Sequence, residues 1–340
     1  MSLLLKTVSP ILRKYVYNAP IVFGFRCVKL QRHKIIYAFF SNMAESEGEF
    51  DVLVAALKNA TDEFAVAVLK RTTVDTSKIL PNGCSLLRIA ALRGHLKCVH
   101  ILLENPRVSP EDALQGAAAN GHFLCLQALL QDSRTNPNHC RVWTPLFMAA
   151  FKGYTACVKT LLSHPDIDPN RGRGHDEASP LHEAVCGLNV ECVALLLAHP
   201  CINPNKVCSN GHSPLHEACT SKYDDDDDAR AKRLTILSLL LSHEAIDVNI
   251  HTAIPYVLID YTPLCVAINW KFYDAVNLLV RDERVNLDDA LRDVLRDIDF
   301  FGETADAGWR TMLEAIQAEQ RKRDRWQRRR SWILECLVLS

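Results

Sequence analysis

The feature that most limits what this chain can fold into is a short phrase repeated at a nearly fixed interval. Thr144-Pro145-Leu146, Ser179-Pro180-Leu181-His182-Glu183-Ala184, Ser213-Pro214-Leu215-His216-Glu217-Ala218 and Thr262-Pro263-Leu264 are copies of one pattern, and the first three prolines are 35 and 34 residues apart. Ser85-Leu86-Leu87-Arg88-Ile89-Ala90 keeps the phase without the proline, and Asp112-Ala113-Leu114 does so ahead of Ala117. A sequence with such a period folds as an array of small units, none of which can bury its apolar face alone.

Each unit reads as helix, turn, helix. Thr or Ser offers an N-cap oxygen, and Pro fits the first helical turn, where its missing N–H costs nothing. A second helix carries a leucine pair: Leu102-Leu103, Leu129-Leu130, Leu161-Leu162 and Leu196-Leu197. Gly94, Gly121 and Gly153 fall between the helices, where a left-handed residue ends the first one. Asn136-Pro137-Asn138, Asp168-Pro169-Asn170, Asn203-Pro204-Asn205 and Asp247-Val248-Asn249 mark a tight turn at the exit of each unit.

This pattern resembles the ankyrin repeat family, whose units open with Thr-Pro-Leu-His-x-Ala. The resemblance covers about residues 51–320 and implies an all-α solenoid with β-hairpin-like finger loops. Residues 1–50 are expected to be a basic leader, disordered or targeting, and 51–80 an N-terminal capping repeat. Residues 81–287 are expected to hold about six repeats with an acidic insertion at 220–232, followed by a C-terminal capping repeat at 288–320 and a basic then apolar tail at 321–340. Pro214 and Pro263 stand 49 residues apart. Because Ala218 to Leu239 spans 21 residues where Ala184 to Leu195 spans 11, most of the insertion, with Asp224 to Asp228, is placed in the turn between two helices and the rest in the finger at 250–261. In the leader, Lys6, Arg13, Lys14, Arg26, Lys29, Arg32 and Lys34 precede the first acid, Glu45, and Met43 offers a second start. The leader therefore reads as an upstream extension or an organelle presequence.

Lys plus Arg number 39 and Asp plus Glu 40, so the net charge of −1 creates no global attraction to nucleic acid or an anionic membrane, and neither is expected as a partner. Thirteen cysteines at wide spacings read as reduced thiols rather than a disulfide framework.

No phosphate-binding loop, dinucleotide fingerprint, kinase signature or nucleophile elbow occurs, so no enzyme activity and no cofactor are expected. Cys208, His212 and His216 have a spacing that could bring zinc ligands together. The resemblance instead implies that His182 and His216 hold the turn and its neighbour by hydrogen bonds, so no metal is expected. Cys98, Cys125, Cys157 and Cys192 recur in phase and read as small core hydrophobes. His164, His199 and His243 read as helix C-terminal residues whose positive character suits the dipole.

The resemblance places partner recognition on the finger tips and the exposed side of each first helix. Here those slots, with the finger residues Arg141 and Arg173, hold Arg93, Asn120, Trp143, Phe151, Lys152, His212, Tyr261, Asn269 and Trp270. Aromatic residues beside cations are what protein–protein hot spots are made from. The further finger cations Arg171, His175 and Lys206 suggest an acidic or extended peptide. The expected role is that of a monomeric, cytoplasmic, non-catalytic adaptor or scaffold binding another protein, with the nucleus and mitochondrion as alternative compartments. The alternative roles are a ubiquitin-ligase substrate receptor, or a tether to nucleic acid or membrane through the seven cations between Arg321 and Arg330.

Overall fold

The computed structural model describes residues 49–139, 142–172, 177–220, 226–252, 261–288, 292 and the helical backbone 307–338, with side chains in that last stretch described for 313–328. Arg141, Arg173, His175, Asp224 and Asp225 lie outside the described residues, as does most of the expected C-terminal capping repeat.

The helices come in pairs, as the repeated phrase predicts. They are α1 Glu49–Asn59 and α2 Asp62–Leu69, α3 Leu86–Arg93 and α4 Leu96–Leu103, α5 Glu111–Ala119 and α6 Phe123–Leu130, and α7 Pro145–Lys152 and α8 Thr155–Leu162. After them come α9 Pro180–Cys186 and α10 Val190–Leu197, α11 Pro214–Ala218 and α12 Asp227–Ser242, α13 Pro263–Asn269 and α14 Tyr273–Arg281, and finally the single long helix α15 Ala307–Val338. Successive first helices pack on one another from α1 to α13 and successive second helices from α2 to α14, which gives two layers of an all-α solenoid. The second layer ends on α15, which packs against α14.

Local chemistry starts and stops these helices. Ser85 Oγ accepts from the Arg88 amide at 3.0 Å and Thr144 Oγ1 from the Phe147 amide at 3.2 Å. At α9 and α11 the cap is reciprocal, with the Ser179 and Ser213 amides donating to Nδ1 of His182 and His216 at 3.0 and 3.1 Å. Gly94 and Gly153 end α3 and α7 at φ of +74° and +71°. Leu188 and Lys271 take the same left-handed position after α9 and α13 without being glycine.

The core runs unbroken between the layers. Leu86, Leu114, Leu146, Leu181, Leu215 and Leu264 come from the first layer, and Leu102, Leu129, Leu161, Leu196, Leu240 and Leu279 from the second, all essentially inaccessible to solvent. Burying a leucine is worth about 2 kcal/mol, so the repeated slots supply most of the cohesion. Cys98, Cys125, Cys157 and Cys192 are buried among them. Burial pushes the Cys125 and Cys157 thiols up to about 11, as suits packing rather than reactivity.

Side chains tie one repeat to the next along the fingers. Asn138 donates to the Asp166 carbonyl and accepts from the Asp168 amide, at 2.6 and 2.8 Å. Asn170, Asn205 and Asn249 repeat this two-way bond to Cys201 and Asn203, to Ala245 and Asp247, and to Arg284 and Asn286. The residues expected only to shape the turns therefore form an asparagine ladder.

His164, His199 and His243 correct the dipole expectation. Each Nδ1 accepts the amide N–H two residues on, at 3.2 Å. Asp132 and Asp282 do the same with a carboxylate oxygen for Arg134 and Arg284. These rings thus serve as hydrogen-bond acceptors for the turn backbone.

The acidic insertion is also partly helical. α12 has 16 residues where α4, α6, α8 and α10 have eight each. Asp226 caps α12 and accepts from the Asp228 and Ala229 amides, and Asp227 and Asp228 lie in the first turn, where the helix dipole favours negative charge. Arg233, buried in the middle of α12, donates to the Glu217 carbonyl at the end of the short α11.

Candidate partner-binding face

The first-helix layer and the fingers present the surface on which the sequence places partner recognition. Phe151 and Lys152 close α7, and the Lys152 ammonium sits 5.2 Å from the centre of the Phe151 ring. Asn269 closes α13 and Trp270 is its C-cap. Phe151 is 44% and Trp270 41% exposed, while the residues preceding them in their helices, Ala149, Ala150, Ala267 and Ile268, are buried. Arg93 at the end of α3 and Asn120 after α5 are exposed on the same layer. The Asn120 amide is turned to its own helix and donates to the Gly116 carbonyl at 3.0 Å.

Trp143, His212 and Tyr261 sit differently, each only partly exposed. The Trp143 carbonyl accepts from Gln115 of the preceding repeat at 3.2 Å. Tyr261 packs against the core, and its backbone joins Thr252 across the finger by bonds of 2.9 Å in both directions. These two residues help to hold the repeats together.

The helix-to-helix turns hold the exposed aromatic of α7 in place. Asn189, in the next repeat, donates to the carbonyls of Ala150 and Phe151 at 2.8 and 3.1 Å, closing the C-terminal end of α7. His95 and His122 do the same for Leu57 and Leu92, each at 3.1 Å.

Beneath the fingers of the fourth and fifth repeats lies a polar cluster. The His182 Nε2 donates to the His212 carbonyl at 3.1 Å and the His216 Nε2 to the Tyr261 carbonyl at 3.0 Å. With Nδ1 occupied by the serine caps, both nitrogens of each ring are engaged, and burial pushes both imidazoles down to about 4. His212 stacks on His216 at 5.7 Å and its Nδ1 lies 3.0 Å from Glu217 Oε1. Burial, the largest single influence, would raise the Glu217 carboxyl, but the bond and charge of His212, the charge of His182 and the Cys186 bond together hold the group below the ordinary range. The Cys208 amide meets the His212 carbonyl across the finger at 2.9 Å. Cys208, His212 and His216 therefore serve the finger, and among the described residues no three His, Cys, Asp or Glu side chains are grouped to hold a metal ion. Lys206, read as a finger cation, donates to the Asn170 carbonyl at 2.8 Å.

Sequence reasoning passed over one surface. Phe123 and Leu124 on α6 are 42% and 49% exposed on the second layer, above a cavity of about 440 Å³ lined by Phe123, Gln127, Leu130, Lys159, Ser163 and His164. The signal was present in register: the slot of Leu124 holds Lys97 in α4, Glu191 in α10 and Asp274 in α14.

A family model of ankyrin repeats in three copies matches residues 89–173 and 168–227, and a single ankyrin repeat matches 210–253. The chain belongs to the ankyrin repeat family, whose members are in general non-catalytic modules for protein–protein interaction. Among solved structures it resembles the ankyrin repeat domain of human ASB11, with a TM-score of 0.53 at 20% identity, over 67% of this chain and 96% of that one. That likeness is one of fold. No curated protein matches the chain in sequence.

Proposed function

We propose that the chain is a non-catalytic adaptor or scaffold that binds a partner protein on its first-helix and finger face, with Phe151, Lys152, Asn269 and Trp270 at the centre and Arg93 and Asn120 toward the N-terminal end. The observation that carries this reading is the exposure of Phe151 and Trp270 at equivalent helix ends of one layer. Large aromatic side chains held at rigid helix ends lose little conformational freedom on binding and give up much apolar surface, which is how hot-spot residues contribute. Lys152, stacked on Phe151, adds a charge beside the aromatic.

The test is affinity capture from native cells with the wild type and a Phe151→Ala/Trp270→Ala variant whose thermal unfolding matches it. Truncating two hot-spot aromatics costs about 4 kcal/mol or roughly a thousandfold in affinity, so a specific partner should be lost. A partner set that survives the double variant would place recognition elsewhere.

A further inference from the structure

The long C-terminal helix carries a second surface, independent of the first-helix face. Residues 321–330 contain seven cations and one acid. Arg323 is committed to the fold: it donates to the carbonyls of Val285, Val280 and Asp282 at 2.7, 2.7 and 2.8 Å. Ile316 is fully buried on the same side of α15, and Gln320 reaches Asp288 at 3.2 Å. With about 100° of rotation per residue, docking through Arg323 turns residues two positions away to the far side. Arg321 and Arg325 lie there, and Arg328 joins them at the i, i+7 position; all three are exposed, with Lys322 exposed beside them.

The remaining contacts leave these charges at the surface. The Nε atoms of Arg325 and Arg328 donate to the Arg321 and Asp324 carbonyls of their own helix at 3.2 and 3.3 Å, and Lys322 pairs with Glu319 at 3.3 Å. Trp326, on the flank of the helix between this face and Arg323, is 59% exposed. α15 continues to Val338, and the sequence of its last stretch, Trp332-Ile333-Leu334-Glu335-Cys336-Leu337-Val338, is mostly apolar. Among the described residues no helix is long and apolar enough to cross a membrane. Binding to a nucleic-acid backbone has no use for an aliphatic run, whereas a bilayer surface uses cations, an interfacial tryptophan and a short apolar segment together.

We infer that the face of α15 formed by Arg321, Arg325 and Arg328, with Lys322 and the exposed Trp326 at its edge, docks onto an anionic phospholipid surface. The solenoid end holds the helix rigidly through Arg323, so the cations meet the headgroups as one preformed patch. The near-zero net charge of the chain is compatible with this, because the attraction acts within about a Debye length of the membrane, roughly 8 Å at physiological salt.

The experiment is co-sedimentation of the full chain with two sets of vesicles, phosphatidylcholine alone and phosphatidylcholine with about one third phosphatidylserine. Binding is expected only to the second set and should weaken with added salt. Arg321→Gln/Arg325→Gln/Arg328→Gln should lower the partition coefficient at least about twentyfold, and Trp326→Ala several-fold, with unchanged thermal unfolding. Equal partition into both vesicle sets, or into neither, overturns the inference. A triple variant that binds like the wild type also overturns it, by assigning attraction to the basic residues before Glu45. So does binding of a single-stranded RNA oligonucleotide through the same three arginines when the anionic vesicles fail to bind.

Discussion

Arg323, on α15, lies 2.7 Å from the carbonyl oxygen of Val285, 38 residues earlier in the chain, and through its bond to Val280 closes the end of α14. Earlier in the chain the same work is done by arginines in the inter-repeat turns. Arg134, held by Asp132, donates to the carbonyls of Leu103, Asn105, Pro106 and Val108 after α4, and Arg284, held by Asp282, donates to Leu241 at the end of α12. Among the described residues, α15 thus supplies to the α13–α14 repeat the carbonyl partners that a following repeat supplies elsewhere.

Replacing Arg323 by Ala should release α15. Three charge-assisted bonds to carbonyls at the end of α14 and in the turn after it are lost, and about 2–4 kcal/mol of stability with them. Lys at this position should recover little, because a point charge cannot span three carbonyls. Hydrogen exchange of residues 313–328 reports the release directly. Exchange in Arg323→Ala as slow as in the wild type would show that Ile316 packing alone retains the helix.

The asparagine ladder is open to a test by a change of one atom. Asn170→Asp keeps an acceptor for the Asn203 amide but removes the donor to the Cys201 carbonyl. A loss of about 1–2 kcal/mol is expected in chemical denaturation. The exposed Asn120, whose amide bonds only within its own repeat, serves as the control, and Asn120→Asp should cost less.

The histidine caps should make stability fall in mild acid. His182 and His216 are held near 4 by burial, against an ordinary 6.5, so the unfolded chain takes up the proton first. Their contribution is fully present above about pH 6.5 and is lost as the pH falls toward 4, by about 2 kcal/mol each at pH 5. Denaturation midpoints at pH 7 and pH 5 measure this. A His182→Gln/His216→Gln variant should be less stable at pH 7 yet lose much less between the two pH values. An equal pH response in variant and wild type would remove these two rings from the explanation.

Gly153 and Asn189 should prove coupled. A Cβ on Gly153 would adopt a left-handed φ of +71° and collide with the Asn189 Oδ1 that the stack presses against it. Gly153→Ala should cost about 2 kcal/mol or more, and Asn189→Ala about 1–2 kcal/mol through the lost Ala150 and Phe151 bonds. In the double variant the clash disappears with Asn189, so the combined loss should be smaller than the sum of the two. Strict additivity would mean that the backbone conformation alone sets the cost at Gly153.

Much of this architecture is legible along the chain because it rests on neighbours. Ser85 and Thr144 cap helices through amides three residues away, Gly94 ends α3 at the next residue, and the buried cysteines follow the repeat phase. The candidate site is less legible. Trp143, just before an N-cap, and Trp270, at the end of a first helix, were both read as recognition residues, yet Trp270 is well exposed while Trp143 is half-buried and its carbonyl accepts from Gln115 of the previous repeat. Leu124 was visible only by comparing its slot across repeats, and Phe123 not at all.

The sequence by itself determined the unit, its period, its caps and its buried positions, because cap chemistry and helical periodicity act within about ten residues. Only the stacked structure decided which turn residues bridge repeats and which aromatic side chains remain exposed. Those outcomes depend on partners such as Asn138 and Asp166, or Arg284 and Leu241, which lie 28 and 43 residues apart and meet only when one unit packs on the next.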